Sequence, residues 1–295
     1  MEFSDPNVRI FVPGGGDAIE ALGKTTDLCV AAHQDDVEIM AYGPIAACLD
    51  DPDRFFTGCV VSDGAGSPRS GPYADYTDEQ MKAARVTEQE NAARIGGYAA
   101  QAFFNLQSSK IKDSGDSSAV RDIAELLLLT MPEVVYTHNL ADKHDTHVAV
   151  ALRVIEAIRR LPSGKRPAKL YAMEVWRGLD WLRDEHKTVF NTSGHPNLAA
   201  ALLGVYDSQI TGGKRYDSAA LGRRLANATF FQSHETDDCP SISFALDMTE
   251  LIDDATLQPE DFIRRFIEGF ADEVAERLEK YGTGTPHTNT SHMKH

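Results

Sequence analysis

The 295-residue chain contains no uninterrupted apolar run of ~18 residues, the length at which a helix can span a bilayer. Its N-terminus, MEFSDPNVRIFVPGGGD, also lacks a basic segment followed by an apolar one. A membrane span and a secretory leader are therefore not expected, and a cytoplasmic protein is. Basic charge is equally short: 29 Lys and Arg stand against 45 Asp and Glu, a formal net charge of −16. Nucleic acids and anionic membrane surfaces need a basic patch, so neither is an expected partner. The basic pairs Lys214-Arg215 and Arg223-Arg224 are isolated; they read as solvated faces, unless one of them meets an anionic substrate. Cysteine is scarce too. The four, at 29, 48, 59 and 239, show no C-x-x-C spacing, and three lie in apolar runs where a free thiol acts as a small hydrophobe. This points to a reducing compartment.

What is present is ordinary globular material, with 42% hydrophobic and 25% charged residues, enough to build a full core. The length suits one large α/β domain with inserted loops. Residues 25–281 are read as that domain, after a lead-in over 1–24 and before a disordered, apolar-poor tail over 282–295. Strand candidates at 27–32, 55–61, 102–106 and 134–137 alternate with helices near 38–49, 78–95, 116–130 and 148–161. A loop rich in Gly, Ser and Pro covers 62–76, and Ser108-Ser109-Lys110 opens a polar loop. Such alternation implies parallel strands joined by right-handed crossovers, hence a Rossmann-like open, mostly parallel sheet flanked by helices. Beyond 161 the pattern loosens. Strands at 170–175 and 243–246 and helices at 197–205, 216–230 and 259–280 read as a C-terminal extension that widens the sheet and caps the site.

Two polar clusters sit at strand ends. His33-Gln34-Asp35-Asp36-Val37-Glu38 follows the first strand; His138, Asp142, His144, Asp145 and His147 follow the fourth. With the common strand order 3-2-1-4-5, strands one and four are neighbours, and both clusters face the crevice where open sheets bind ligands. Imidazole and carboxylate groups suit zinc, and a catalytic zinc needs three protein ligands and one open position. Such a metal acidifies water and polarises a carbonyl, the two needs of amide hydrolysis. A further carboxylate supplies a base, and a further histidine stabilises an oxyanion or protonates the leaving amine. Spacing alone leaves open which Asp of the pair binds metal. Glu38 reads either as a charge favoured in the first helical turn or as a support for His33 or a substrate hydroxyl.

These residues resemble the LmbE-like, or PIG-L, family of metal-dependent de-N-acetylases. The signature A-H-P-D-D-x-E is present as Ala32-His33-Gln34-Asp35-Asp36-Val37-Glu38, with Gln34 in place of Pro. The signature H-P-D-H is similar to His144-Asp145-Thr146-His147, with its two inner residues changed. The family's R-x-x-E-x-x-x-A-x-x-L-G helix is matched by Arg85, Glu88, Ala92, Ile95 and Gly96, and Tyr206-Asp207-Ser208-Gln209 is a fainter echo. The resemblance implies zinc held by His33, Asp36 and His147, with Fe2+ or another divalent transition metal as alternatives. It implies Asp35 as general base and His144 as oxyanion stabiliser. Arg85, Trp176 and Arg177 are candidate substrate contacts, and Asp142 a candidate support beside Glu38. The implied substrate is small, an N-acylated amino sugar or its conjugate. Two other readings stand: a non-haem Fe(II) oxygenase with a His-x-Asp and a distant His, and a metal-dependent binding protein without turnover. Nothing in the sequence sets an oligomeric state.

Overall fold

A computed structural model describes residues 3–282. Eight strands form one sheet: β1 (Arg9–Phe11), β2 (Asp27–Ala31), β3 (Phe56–Ser62), β4 (Ala100–Leu106), β5 (Val134–His138), β6 (Lys169–Met173), β7 (Lys187–Asn191) and β8 (Ile242–Asp247). Their order is β1-β4-β3-β2-β5-β6-β8-β7. The five central strands, β4-β3-β2-β5-β6, are parallel, as alternation of strand and helix requires. The first four strands expected from sequence thus lie in the order 3-2-1-4, with β2 and β5 adjacent.

All five residues of β2 are buried, as befits a strand covered on both faces. Alternate side chains feed two cores. Leu28, Val30 and Ala32 join one on one face, and Cys29 and Ala31 join the other. At the N-terminal end of β2, Asp27 is held by Arg54 at 2.6 Å and by the Tyr136 hydroxyl at 2.9 Å.

Its C-terminal end creates the site. The β2–β5 ladder stops at Cys29 and Tyr136. Beyond it, β5 side chains replace backbone pairing: the Thr137 hydroxyl donates to the Val30 carbonyl at 2.9 Å, and His138 Nε2 accepts from Ala32 N–H at 2.8 Å. The two strands therefore stay tethered while their following loops part. This is the crevice expected at the switch point of an open sheet.

The second half reverses direction. β8 pairs antiparallel with β6, and β7 antiparallel with β8. Two strands escaped the sequence reading. β1 falls in the segment read as lead-in and pairs antiparallel with β4, while β7 is short and only half-buried. The helix expected at 38–49 is broken at Ala41 into Asp36–Met40 and Tyr42–Asp50, and the polar loop after β4 opens with a short helix, Ser108–Lys112. Apart from Gly282, the tail expected to be disordered lies outside the described residues. No described helix is long and apolar enough to cross a membrane.

Candidate active site

Three ligating atoms converge at the parted ends of β2 and β5. His33 Nδ1 lies 3.1 Å from Asp36 Oδ2 and 3.2 Å from His147 Nε2, and the last two are 3.2 Å apart. Two ligands on a tetrahedral ion with bonds of ~2.0 Å are separated by ~3.3 Å, and adjacent ones on an octahedral ion with bonds of ~2.1 Å by ~3.0 Å. The triangle fits one face of either polyhedron, so these residues could hold a divalent ion with further positions open. It sets a place for the ion and leaves its identity open.

Local sequence explains the convergence. After β2 the chain turns sharply through Asp35, whose φ of 84° is rare for a residue with a side chain. Short polar Asp tolerates this region better than most, and such strain commonly accompanies functional sites. The turn aims His33 and Asp36 together, and His33 N–H donates to Asp36 Oδ2 at 2.8 Å. Gln34, standing where the family signature has Pro, is fully buried against Gly64. Gly64 has φ +73°, a backbone conformation that favours glycine, and a Cβ there would lie 2.6 Å from Gln34 Oε1 and displace that amide.

From the other side, the helix Asp145–Arg160 begins at His144 and points His147 inward one turn later. Asp142 sets both histidines. Its Oδ1 accepts from His144 N–H at 3.1 Å, and its Oδ2 lies 3.4 Å from His147 Nδ1 and accepts from Trp176 N–H at 3.2 Å. With Nδ1–H turned to Asp142, it is Nε2 of His147 that, once deprotonated, offers its lone pair to a cation. Asp145, inside the second signature, is exposed and takes no part.

The adjacent carboxylates differ. Burial disfavours the charge of Asp36, but His147, His33 and His138 together hold it well below the usual carboxylate range. Burial pushes Asp35 up to about 7, aided by Asp36 and opposed by Arg85. One carboxylate is fixed as an anion; its neighbour is poised to exchange a proton. Burial lowers the His147 ring's affinity for a proton, yet Asp36 and Asp142 raise it overall to about 9. Burial, with His147 and His33, lowers His144 and disfavours its protonated form. Its Nδ1 has no protein partner.

His138 was not singled out by sequence for any role. It is completely buried and stacks on His147 at 3.9 Å between ring centroids. Its Nε2 stands 3.6 Å from Asp36 but is already used by Ala32 N–H, which makes it a poor fourth ligand.

The supporting residues divide. Arg85, 2% exposed, donates to Asp35 at 3.2 Å and to the Gln34 carbonyl, so it holds the turn as well as lining the cavity. Glu38 supports neither His33 nor a cavity position. Its carboxylate accepts from Gln89, Tyr98 and Tyr206 behind the turn, and burial pushes it up to about 7. Gln89 reaches Asp35 N–H at 3.3 Å, so this network braces the strained turn from beneath. The echo segment has a reason: Ser208 docks on Glu88 through both N–H and hydroxyl, at 2.6 and 2.7 Å, while Gln209 lines the cavity.

That cavity, about 400 Å³, is bounded by His33, Asp35, Asp36, His144, Trp176 and Tyr216, among others. It can admit a sugar-sized ligand, whereas a larger cavity, about 730 Å³ between the C-terminal segments, does not reach the histidines. Trp176 is half-buried at the wall; Arg177 is exposed and lines neither space. Arg224, read as solvated, is buried and donates to the carbonyls of Glu38 and Ile39.

Residues 28–158 match the family model described as PIG-L, GlcNAc-PI de-N-acetylase. Over that stretch, a little under half of its length, the chain is PIG-L-like. No curated protein matches this PIG-L-like chain. Among solved structures it is similar to the N,N'-diacetylchitobiose deacetylase of Pyrococcus horikoshii, with 15% identity, a TM-score of 0.60 and coverage of 78% of this chain and 86% of that one. It is similar to GalB, the 4-carboxy-2-hydroxymuconate hydratase of Pseudomonas putida KT2440 (21% identity, TM-score 0.58, 76% and 96% covered). A third is the teicoplanin deacetylase Orf2 in its zinc-inhibited form (14% identity, TM-score 0.56, 76% and 97% covered). These likenesses show the fold, and a fold that also serves a hydratase does not choose a reaction. The family match does: it indicates a hydrolytic deacetylase acting on C–N bonds other than peptide bonds.

Proposed function

We propose that this PIG-L-like protein is a zinc-dependent de-N-acetylase of an N-acetylglucosamine-like sugar or its conjugate, held by a cavity in the cytoplasm. The observation that carries the reading is the triangle of His33, Asp36 and His147 with the proton-exchanging Asp35 beside it. A binding protein needs the triangle alone. A hydrolase also needs the base.

In this reading His33, Asp36 and His147 hold the ion. Bound there, a divalent cation supplies Lewis acidity, acidifying water and polarising the amide carbonyl. Asp35, kept from rotating by Arg85, accepts the proton of the attacking water. Once protonated, the same carboxyl returns that proton to the departing amine. His144 lies on the cavity side, with its ring 4.5 Å from that of His147 and 4.9 Å from that of His33. As a neutral ring it donates N–H to the developing oxyanion. Asp142 keeps His147 in the tautomer that binds the ion.

The test is acetate release from N-acetylglucosamine and N,N'-diacetylchitobiose by chelated protein, before and after one equivalent of Zn2+, Fe2+ or Co2+. Release restored by zinc is the expected result. A second equivalent of zinc belongs in the series, since the similar teicoplanin deacetylase has a zinc-inhibited form. Stoichiometric metal uptake without acetate release from any N-acetyl sugar would sink the reading. Oxidation of an added substrate by the iron-loaded protein would transfer it to the oxygenase alternative.

A further inference from the structure

Of the helix Pro259–Tyr281 only Phe262, near its start, is fully buried, with Ile263 and Phe266 beside it packed against the core. Beyond them Ile267, Phe270, Val274, Leu278 and Tyr281 are exposed, from 39% at Phe270 and Val274 to 73% at Tyr281. At ~3.6 residues per turn these five share an arc of ~80°, and Glu268, Asp272, Glu276 and Glu279 occupy the opposite face. Phe230, 82% exposed, stands beside the stripe, since it lines the cavity of about 730 Å³ together with Phe270, Glu273 and Arg277.

So many large apolar side chains in one exposed row mark a binding surface rather than a solvated one. A membrane is a poor occupant. Helices that lie on lipid carry Lys and Arg on the polar face, and here that face is acidic, on a chain of net charge −16. A copy of the same stripe is a good occupant, because its spacings of 3, 4, 4 and 3 residues read alike in both directions from Val274. Two such stripes laid antiparallel need no other surface, which is the condition for a two-fold dimer.

We propose that two copies of the chain associate through this helix, antiparallel about a two-fold axis at Val274. Val274 then opposes Val274, Phe270 opposes Leu278, and Ile267 opposes Tyr281. The exposed Ala271 and Ala275 flank Val274, so the helices approach closely at the axis while the large side chains interlock on either side. Glu273 and Arg277, 2.6 Å apart within each copy, meet the same pair in reversed order, and each arginine gains the partner's glutamate. The acidic faces point away from each other. With Phe230, the stripe exposes on the order of 700 Å² on each copy, close to the ~800 Å² per partner of a specific interface. Association of this kind is independent of the chemistry in the active-site cavity.

Sedimentation equilibrium tests the dimer: the expected mass is twice the 32.3 kDa of the chain at about 10 µM and above. Val274→Glu and Leu278→Glu, both at exposed positions, should keep the circular dichroism of the wild type and weaken association on the order of 100-fold. Cysteine cross-linking tests the axis. V274C should give a disulfide-linked dimer on mild oxidation, and F270C mixed with L278C should give a linked heterodimer. L278C alone should stay unlinked, with the wild type and its free cysteines as the background. A single-chain mass at every concentration up to about 100 µM would overturn the proposal. A dimer that survives both glutamate variants would do so too, by placing the association elsewhere. Linking of L278C as readily as V274C would show parallel helices and remove the two-fold axis at Val274.

Discussion

The back wall of the cavity and its mouth are built on opposite plans. Behind the ion site most groups are matched: Asp36 with His33 and His147, His147 with Asp142, Asp35 with Arg85, and Glu38 with two tyrosines and Gln89. At the mouth, among the described residues, Lys143 and Lys214 make no ion pair and lie over the Trp176 ring, while Arg223 donates to the Val175 carbonyl and acts on Glu174. The wall comes chiefly from the parallel half of the sheet. The mouth draws on the segments after β6, with Trp176, Gln209, Lys214, Tyr216 and Arg223. Saturated contacts fix geometry for bond breaking, while unsatisfied ones are available to a partner molecule.

The comparison breaks first at His147. His147→Ala should remove both bound metal and turnover, read by metal analysis and acetate release; retained metal would move the ion elsewhere. Asp35→Asn should keep the metal yet lower kcat on the order of 10²–10⁴-fold. It should also erase the acid limb of the pH–rate profile. Asp35 titrates at about 7 in the metal-free chain, and a nearby cation lowers it, so the wild-type rate should rise with pH and level off at or below about 7. A smaller loss is expected at Asp142→Ala, roughly 10–100-fold in metal affinity, because His147 loses its orienting partner. Metal uptake should itself depend on pH. His147, raised to about 9, carries a proton that the ion must displace, so affinity should climb about tenfold per pH unit and flatten near 9. Titrations in buffers of different ionisation enthalpy would count that proton. The smallest effect belongs to Arg177→Ala, expected to change kcat/KM less than about twofold, as surface substitutions usually do. A larger change would bring the mouth closer to Arg177 than its exposed position implies.

The wall was far more legible than the mouth. Strand β2 and the helix Asp78–Ile95 announce themselves by an apolar run and by helical spacing, with the Thr77 and Gln80 capping box at the helix start. The turn after β2 carries chemistry in consecutive letters, so His33, Asp35 and Asp36 could be named before any geometry. Asp142 could be suspected because it precedes His147 by five residues. Lys214 and Arg223 could not. They look like any surface cation, and only their place on the cavity walls, a property of three dimensions, distinguishes them. Arg224 shows the converse: adjacent to Arg223 in sequence, it lies buried beneath the site because the helix Tyr216–Phe231 turns one arginine outward and its neighbour inward. β1 and β7 were missed because three half-exposed residues, or five without apolar alternation, carry too little pattern.

The bond from Ala32 N–H to His138 Nε2 joins positions 106 residues apart in the chain. During synthesis the first signature emerges long before its partner, so the nascent polypeptide carries His33 and Asp36 as loose ligands until β5 has docked beside β2. Vectorial assembly of this kind makes ion loading a late event. A ribosome-stalled chain ending before residue 134 should leave an equimolar chelatable ion in solution, whereas the released full-length protein should withdraw it.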